Sequence, residues 1–155
     1  MKKVILFSFL FIFLDFIVKI IIKSNMDVYD SINIIPSFFS ITYVRNTGAA
    51  FSIMENSRVL FIIIALVSLI LIYKYLIMNK VINKFLMISY SMLIGGIMGN
   101  MVDRILYGYV IDYLSFNIFG YSFPIFNLAD TFIVVSIIML LLYEIGGRHA
   151  RNSCK

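Results

Sequence analysis

The sequence predicts an all-α membrane protein with four transmembrane helices and a small extracytoplasmic, β-containing loop region. Three observations lead there. The 155 residues are 62% hydrophobic and only 14% charged, with a mean hydropathy of +1.00, whereas a soluble domain carries roughly a quarter charged residues. That leaves too little polar surface to cover a water-exposed globule, so most of the solvent must be lipid. Four apolar runs are also long enough to cross a bilayer. Finally, the polar residues gather: three of the eight acidic side chains, Asp103, Asp112 and Asp130, fall in the stretch from Gly95 to Asp130. Ionisable groups at membrane depth are expensive to keep and mark function by default. The length suits one bundle, a single membrane-embedded domain over 1–155.

The first run imitates a signal peptide, with Lys2 and Lys3 ahead of the apolar stretch Val4 to Leu14. It has no small-residue cleavage site and continues through Ile20-Ile21-Ile22, so an uncleaved helix over about 4–22 is expected. Asp15 and Lys19 are spaced i,i+4, acid first, and share a face on which they can pair. Such a pair either orients the helix or takes a direct part in a site.

Residues 23–57 form the most polar long stretch, the outer loop, with Asp27, Asp30, Asn33, Thr42, Arg45, Asn46 and Glu55. Within it, Phe38 to Val44 is aromatic and β-branched, which suits a short strand at the membrane surface. Asn46-Thr47-Gly48-Ala49-Ala50-Phe51-Ser52 follows as a tight turn whose small residues admit close approach. An ordinary surface hairpin would look the same.

A second helix is expected over about 59–77 and a third over about 85–107, separated by a lysine-bearing connection. Gly95, Gly96 and Gly99 give the third helix a small-residue face for another helix or a substrate chain. Asn100 and Asp103 lie one turn apart on the same side, and Arg104 follows Asp103 directly. Residues 108–126 are dense in aromatics, which suits a belt at the membrane–water interface. Asp112 stands in that connection. The fourth helix is expected over about 128–145, with Asn127 as its N-cap and Asp130 at the third helical position.

The net charge of +5 does not point to nucleic acid, because the cations flank the apolar runs. Lys2, Lys3, Lys80, Lys84, Arg148, Arg151 and Lys155, with Lys74 close by, fall on one side of a four-helix path. The positive-inside rule makes that side, with both termini, cytoplasmic. Asp15, Lys19, Asp103, Asp112 and Asp130 then gather at one depth near the outer face. Cys154, the only cysteine, permits no internal disulfide, and His149 in the basic tail reads as solvated.

Two carboxylates held within about a hydrogen bond of each other do not both ionise readily; one keeps a proton and the pair titrates as a unit. Aspartic proteases use that state: the ionised member takes a proton from water while the other polarises the peptide carbonyl. No serine, cysteine or histidine here has an evident helper, and there is no His or Cys cluster for a metal; a carboxylate site for a hard cation stays open. Asp103, beside Arg104, is assigned an orienting part. Asp112 and Asp130 flank one connection and converge at its base. The positive end of the fourth helix favours charge on Asp130, which makes Asp130 the base and Asp112 the proton holder. A proton or ion relay would instead need charges stepping toward the cytoplasmic side, where Glu144 stands nearly alone. A binding protein would use the same pocket without cutting.

The chain resembles the lipoprotein signal peptidases, the bacterial signal peptidase II family, over essentially its whole length. Five blocks in order carry the resemblance: Asp15-x-x-x-Lys19; Asn46-Thr47-Gly48-Ala49-Ala50-Phe51-Ser52; Gly95-Gly96-x-x-Gly99-Asn100-x-x-Asp103-Arg104; Val110-Ile111-Asp112-Tyr113; and Phe126-Asn127-x-Ala129-Asp130. The resemblance implies an aspartic endopeptidase of the bacterial cytoplasmic membrane, with Asp112 and Asp130 as its catalytic pair, no cofactor and no metal. Its implied partners are prolipoproteins carrying diacylglycerol on a cysteine, cut just before that cysteine, together with membrane lipids and no nucleic acid; it is expected to act as a monomer. Asn46, Gly48, Asn100, Asp103, Arg104 and Asn127 match positions that line or brace the family's pocket, and Asp15 with Lys19 matches a supporting polar pair. The family's outer loop forms a small β-cradle and a mobile surface helix, matched by 23–57. Val18 departs from the pattern, standing where the family commonly has Ser or Thr and taking away a hydrogen bond at that position.

Overall fold

The structure, a computed structural model, describes residues 2–48, 57–78 and 83–152, with side chains described up to 146. The turn residues Ala49 to Ser52, Glu55, Lys80 and Cys154, and the side chains of Arg148, His149, Arg151 and Lys155, lie outside the described residues.

Eight elements follow one another: α1 (Lys2–Asn25), β1 (Ser31–Ile35), β2 (Phe39–Asn46), α2 (Arg58–Met78), α3 (Lys84–Tyr107), β3 (Val110–Ile118), β4 (Tyr121–Ser122) and α4 (Leu128–Asn152). All four helices are long and apolar enough to cross a membrane; at 1.5 Å per residue, a 24-residue helix such as α1 spans roughly 36 Å. Each begins and ends within a few residues of expectation, except that α4 runs on to Asn152 rather than stopping near 145. Asn83 caps α3 by accepting from the Leu86 N–H, and Gly108 ends that helix in the left-handed conformation at φ 84°.

Helix α3 is the centre of the bundle and packs against the other three. Its glycines are the reason. A Cβ at Gly95 would stand 2.5 Å from Phe11 Cβ on α1, one at Gly96 would strike the Ala129 carbonyl on α4, and one at Gly99 would lie 2.5 Å from an Asp15 oxygen. The glycine face therefore receives two helices. Along α1 and α3 the contacts climb together: Ser91 donates to the Val4 carbonyl (3.1 Å), Gly99 faces Asp15, and Lys19 reaches Asp103. These two helices run parallel. Between α3 and α4 the order reverses, with Phe85 stacked on Tyr143 and Asn100 bonded to Asp130, so those two are antiparallel. The segments after α1 and after α3 consequently leave the bundle at the same end.

There they form one four-stranded antiparallel sheet in the order β1-β2-β3-β4. The strand expected near Phe38 to Val44 is β2, but the sheet is not confined to 23–57. The aromatic connection, expected as an interfacial belt, contributes β3 and β4. The start of β3 is buried on both faces: Ile111 and Tyr113 join Tyr43, Ile22 and Met26 in a core cluster, while Val110 and Asp112 turn the other way. A segment buried on both sides lacks polar–apolar alternation, which hid the start of β3, although Leu114 to Ile118 does alternate.

Candidate active site

A bulge in β2 sets the geometry of the site. Ile41 pairs with Leu114, yet Val44 pairs with Asp112, so β2 uses one residue more than β3 between these pairs. A one-residue shift moves every later side chain to the opposite face. Past the bulge Asn46 pairs with Val110, which puts its side chain on the face of Asp112. Without the bulge it would face the core. Its Nδ2 donates to Asp112 Oδ2 at 2.9 Å, while its Oδ1 accepts from the Gly48 N–H at 2.9 Å. A backbone N–H can only donate, so the Asn46 amide is oriented to give Asp112 a donor.

Asn127 repeats the logic. It is fully buried and caps α4, its Oδ1 accepting from the Asp130 N–H at 2.9 Å. Its Nδ2 is thereby left to donate to Asp112 Oδ1 (2.6 Å) and to Asn100 Oδ1 (3.1 Å). Asp130 answers from the first turn of α4, accepting from the Asn127 N–H at 3.2 Å in a capping-box arrangement. The expected cap and the expected position of Asp130 are both found. The remaining first-turn donors are met from elsewhere in the fold: Leu128 N–H donates to the Tyr113 hydroxyl (3.1 Å) and Ala129 N–H to Asp15 Oδ1 (2.9 Å). With Thr131 N–H bonded to the Asn127 carbonyl (3.1 Å), the exposed donors of the helix start are satisfied, and Asp130 is fixed relative to α1 and β3.

Lys19 lies beneath this layer, 2% exposed, among Asp15 Oδ2 at 2.8 Å, Asp103 Oδ2 at 2.9 Å and Asn100 Oδ1 at 3.1 Å. An ammonium has three protons and no lone pair, so each has an acceptor and the Asn100 oxygen must face Lys19. The Asn100 Nδ2 then points to Asp130 Oδ1 at 2.7 Å. Asp103 also accepts from the Ile111 N–H at 3.1 Å, tying α3 to β3. Its partner is Lys19 on another helix and not its sequence neighbour Arg104. Consecutive helical residues diverge by about 100° and do not face each other. Arg104 turns to the cavity, donating to the Gly48 carbonyl at 3.2 Å and lying over the Phe61 ring at 4.8 Å.

Asp112 and Asp130 open on one cavity of about 390 Å³, walled by Asn46, Gly48, Asn100 and Arg104 on the polar side and by Phe61, Pro124, Ile125 and Phe126 on the apolar side. Burial pushes the Asp112 carboxyl up to about 7, with the charge of Asp130 adding to it; the Asn46 and Asn127 donors oppose the shift. An acid held near neutrality gives and takes protons readily at working pH. Neither the apolar wall nor the Tyr113 hydroxyl that caps α4 is marked in the sequence. The alternation of Ile111 and Tyr113 would have put that ring on the bundle side once β3 was known to be a strand.

The family description "Signal peptidase (SPase) II" matches residues 7–145. Lipoprotein signal peptidases of Staphylococcus aureus strains JH9 and Newman are each 38% identical to this chain over 138 residues, covering 89% of it and 85% of theirs. Two solved structures described as bacterial membrane enzymes, obtained by the in meso method, are similar in fold. One has a TM-score of 0.86 at 36% identity over 94% of this chain and 89% of the other. The second has a TM-score of 0.83 at 36% identity over 92% of each.

Proposed function

The chain belongs to the signal peptidase II family, a lipoprotein-processing protease with several membrane-spanning helices, and from that premise we propose that Asp112 and Asp130 are its catalytic pair. The family supports removal of signal peptides from prolipoproteins. In our reading the bond cut lies just before a diacylglyceryl-modified cysteine. One observation carries the assignment: Asn127 holds both acids, its side chain on Asp112 and its backbone N–H on Asp130, at the mouth of one cavity.

Asp130 acts as the base, taking a proton from water as the water oxygen attacks the peptide carbonyl. Asp112 gives its proton to the carbonyl oxygen. In the second half Asp130 returns its proton to the departing nitrogen, and Asp112 recovers one from the hydroxyl as the carbonyl re-forms, so both acids end as they began. The raised Asp112 carboxyl suits the proton holder, and the donors from Asn100 and the Asn127 backbone suit a negative Asp130. Asn46 and Asn127 keep Asp112 in place. Arg104 and Gly48 face the substrate backbone, while Asp15, Lys19 and Asp103 brace the floor.

The apolar wall from Phe61 to Phe126 borders α2, whose side chains are mostly exposed, so the substrate's acyl chains stay in lipid beside α2 and α3. Anchoring raises the effective concentration of the scissile bond. The site faces outward, both termini lie in the cytoplasm, and residues 1–155 act as one domain and as a monomer. The test is cleavage of a diacylglyceryl peptide by the purified full chain, followed by mass spectrometry. Loss of product in both Asp112→Asn and Asp130→Asn is expected, with the new amino terminus at the lipidated cysteine. Wild-type cleavage by either variant would remove the pair from the mechanism.

A further inference from the structure

We propose that Lys23 and Arg45 hold the phosphodiester headgroup of an anionic membrane phospholipid at the seam between sheet and bundle, on the side away from the catalytic cavity. Lys23 stands in the last turn of α1 and Tyr107 is the last residue of α3. Because those helices run parallel, the two share one end. Lys23 Nζ lies 3.6 Å from the centre of the Tyr107 ring, and Tyr107 stacks on Tyr109 at 5.8 Å. Arg45 then lies over Tyr109 at 4.9 Å, its Nε donating to the Tyr43 hydroxyl at 3.1 Å. Two cations thus bracket a pair of stacked tyrosines. Along β2, Tyr43 and Arg45 alternate with Asn46, so this array and Asp112 occupy opposite faces of the same ribbon.

Both cations are exposed, and among the described residues neither has a carboxylate within ion-pair reach. The ring faces fix them in place without neutralising them. The two terminal nitrogens of Arg45 have no acceptor among the described residues, leaving a planar fork that fits the paired oxygens of a phosphate.

A second feature selects a lipid. Below Lys23 on its own face of α1 come Ile20, Phe16 and Phe13, all exposed and apolar. They lead into a groove of about 540 Å³ lined by Leu6, Phe9, Leu10, Ile12, Phe13 and Phe16. The path from Lys23 to Leu6 is roughly 26 Å at 1.5 Å per residue, enough for an acyl chain whose phosphate sits at the helix end. A free phosphate ion would use the cations and ignore the groove.

The test is native mass spectrometry of the full-length protein in detergent, with phosphatidylglycerol or phosphatidylcholine added at equal concentration. Wild type should retain phosphatidylglycerol in preference. Lys23→Gln and Arg45→Gln should each weaken retention by about fivefold, the effect of one basic residue at an anionic surface, and the double variant by about the product. Arg45→Lys should keep most of it. Equal retention of the two lipids, or no loss in the double variant, would overturn the proposal. So would displacement of the lipid by millimolar inorganic phosphate, which would mean that the groove plays no part. Both side chains are exposed, and Lys23→Gln alone decides the matter if the double variant is lost in purification.

Discussion

Four acids and one lysine are joined through shared partners in this molecule, yet they fall into two regions built on different principles. In the floor, Asp15 and Asp103 share the ammonium of Lys19 and each takes one backbone N–H, from Ala129 and Ile111. In the roof, among the described residues, Asp112 and Asp130 receive donors only from the amides of Asn46, Asn100 and Asn127 and from backbone. A lysine cancels charge; an amide only orients it. The floor acids share one cation in direct contact and serve as joints between α1, α3, α4 and β3. The roof acids are aimed without a cation in contact among the described residues, so burial weighs directly against their charged forms. The type of partner separates the two groups.

The comparison breaks most visibly if the two regions respond alike to the same substitution. Asp130→Asn in the roof should lower kcat by about 10²–10⁴-fold, the usual contribution of a positioned acid or base, with little change in melting temperature. Asp103→Asn in the floor should do the reverse, losing melting temperature while the folded fraction still cuts. Cleavage kinetics beside thermal unfolding in the same detergent decide this. A floor variant as inactive as the roof variant at unchanged stability would erase the distinction.

The lysine sharpens it further. Lys19→Met leaves two carboxylates buried without their cation, and breaking a buried pair in that way costs about 3–5 kcal/mol. Gly99→Ala approaches the same joint from α3. The new methyl would lie 2.5 Å from an Asp15 oxygen already bonded to Lys19, and 3.3 Å from Ala129 Cβ. Overpacking of this kind costs about 1–3 kcal/mol, read as a smaller fall in stability than for Lys19→Met. A Gly99→Ala variant as stable as wild type would mean that Asp15 moves freely, and the floor could not then be the rigid joint described.

Much of this arrangement was legible in the chain because it is local. Hydrophobic run length placed the helices, i,i+4 spacing paired Asp15 with Lys19, and Asn127 three residues ahead of Asp130 marked a cap. What escaped was non-local. Asp103 looked like the partner of Arg104, and nothing in one sequence reveals that Lys19, 84 positions earlier, would reach it through a parallel helix. The strand Val110–Ile118 alternates only in its second half, Leu114-Ser115-Phe116-Asn117-Ile118; its first four residues are buried on both faces and give no such sign. The bulge that turns Asn46 toward Asp112 exists only in the register between two strands far apart in the chain. The five sequence blocks pointed to these residues by resemblance; the pairing of strands explains why they meet.

The finest test of the roof is its response to pH. The Asp112 carboxyl stands at about 7, far above the ordinary value of 3.8, chiefly through burial. Below that point it holds the proton the mechanism requires; above it the proton is lost, so kcat should fall roughly tenfold per unit on the alkaline side. The same shift acts on stability. A carboxyl whose folded value is raised stabilises the fold fully below about 4 and loses that contribution as pH climbs through about 7, so the melting temperature should decline over that window. Asn46→Ala removes one donor that opposes the shift, and the negative form of Asp112 then becomes harder to reach. The alkaline limb of the rate profile should therefore move to higher pH, by about one unit, which corresponds to about 1.4 kcal/mol. A limb that stays in place in Asn46→Ala would show that another group carries the proton. A limb that moves to lower pH would mean the amide faces Asp112 with its oxygen, contrary to the orientation that the Gly48 N–H imposes.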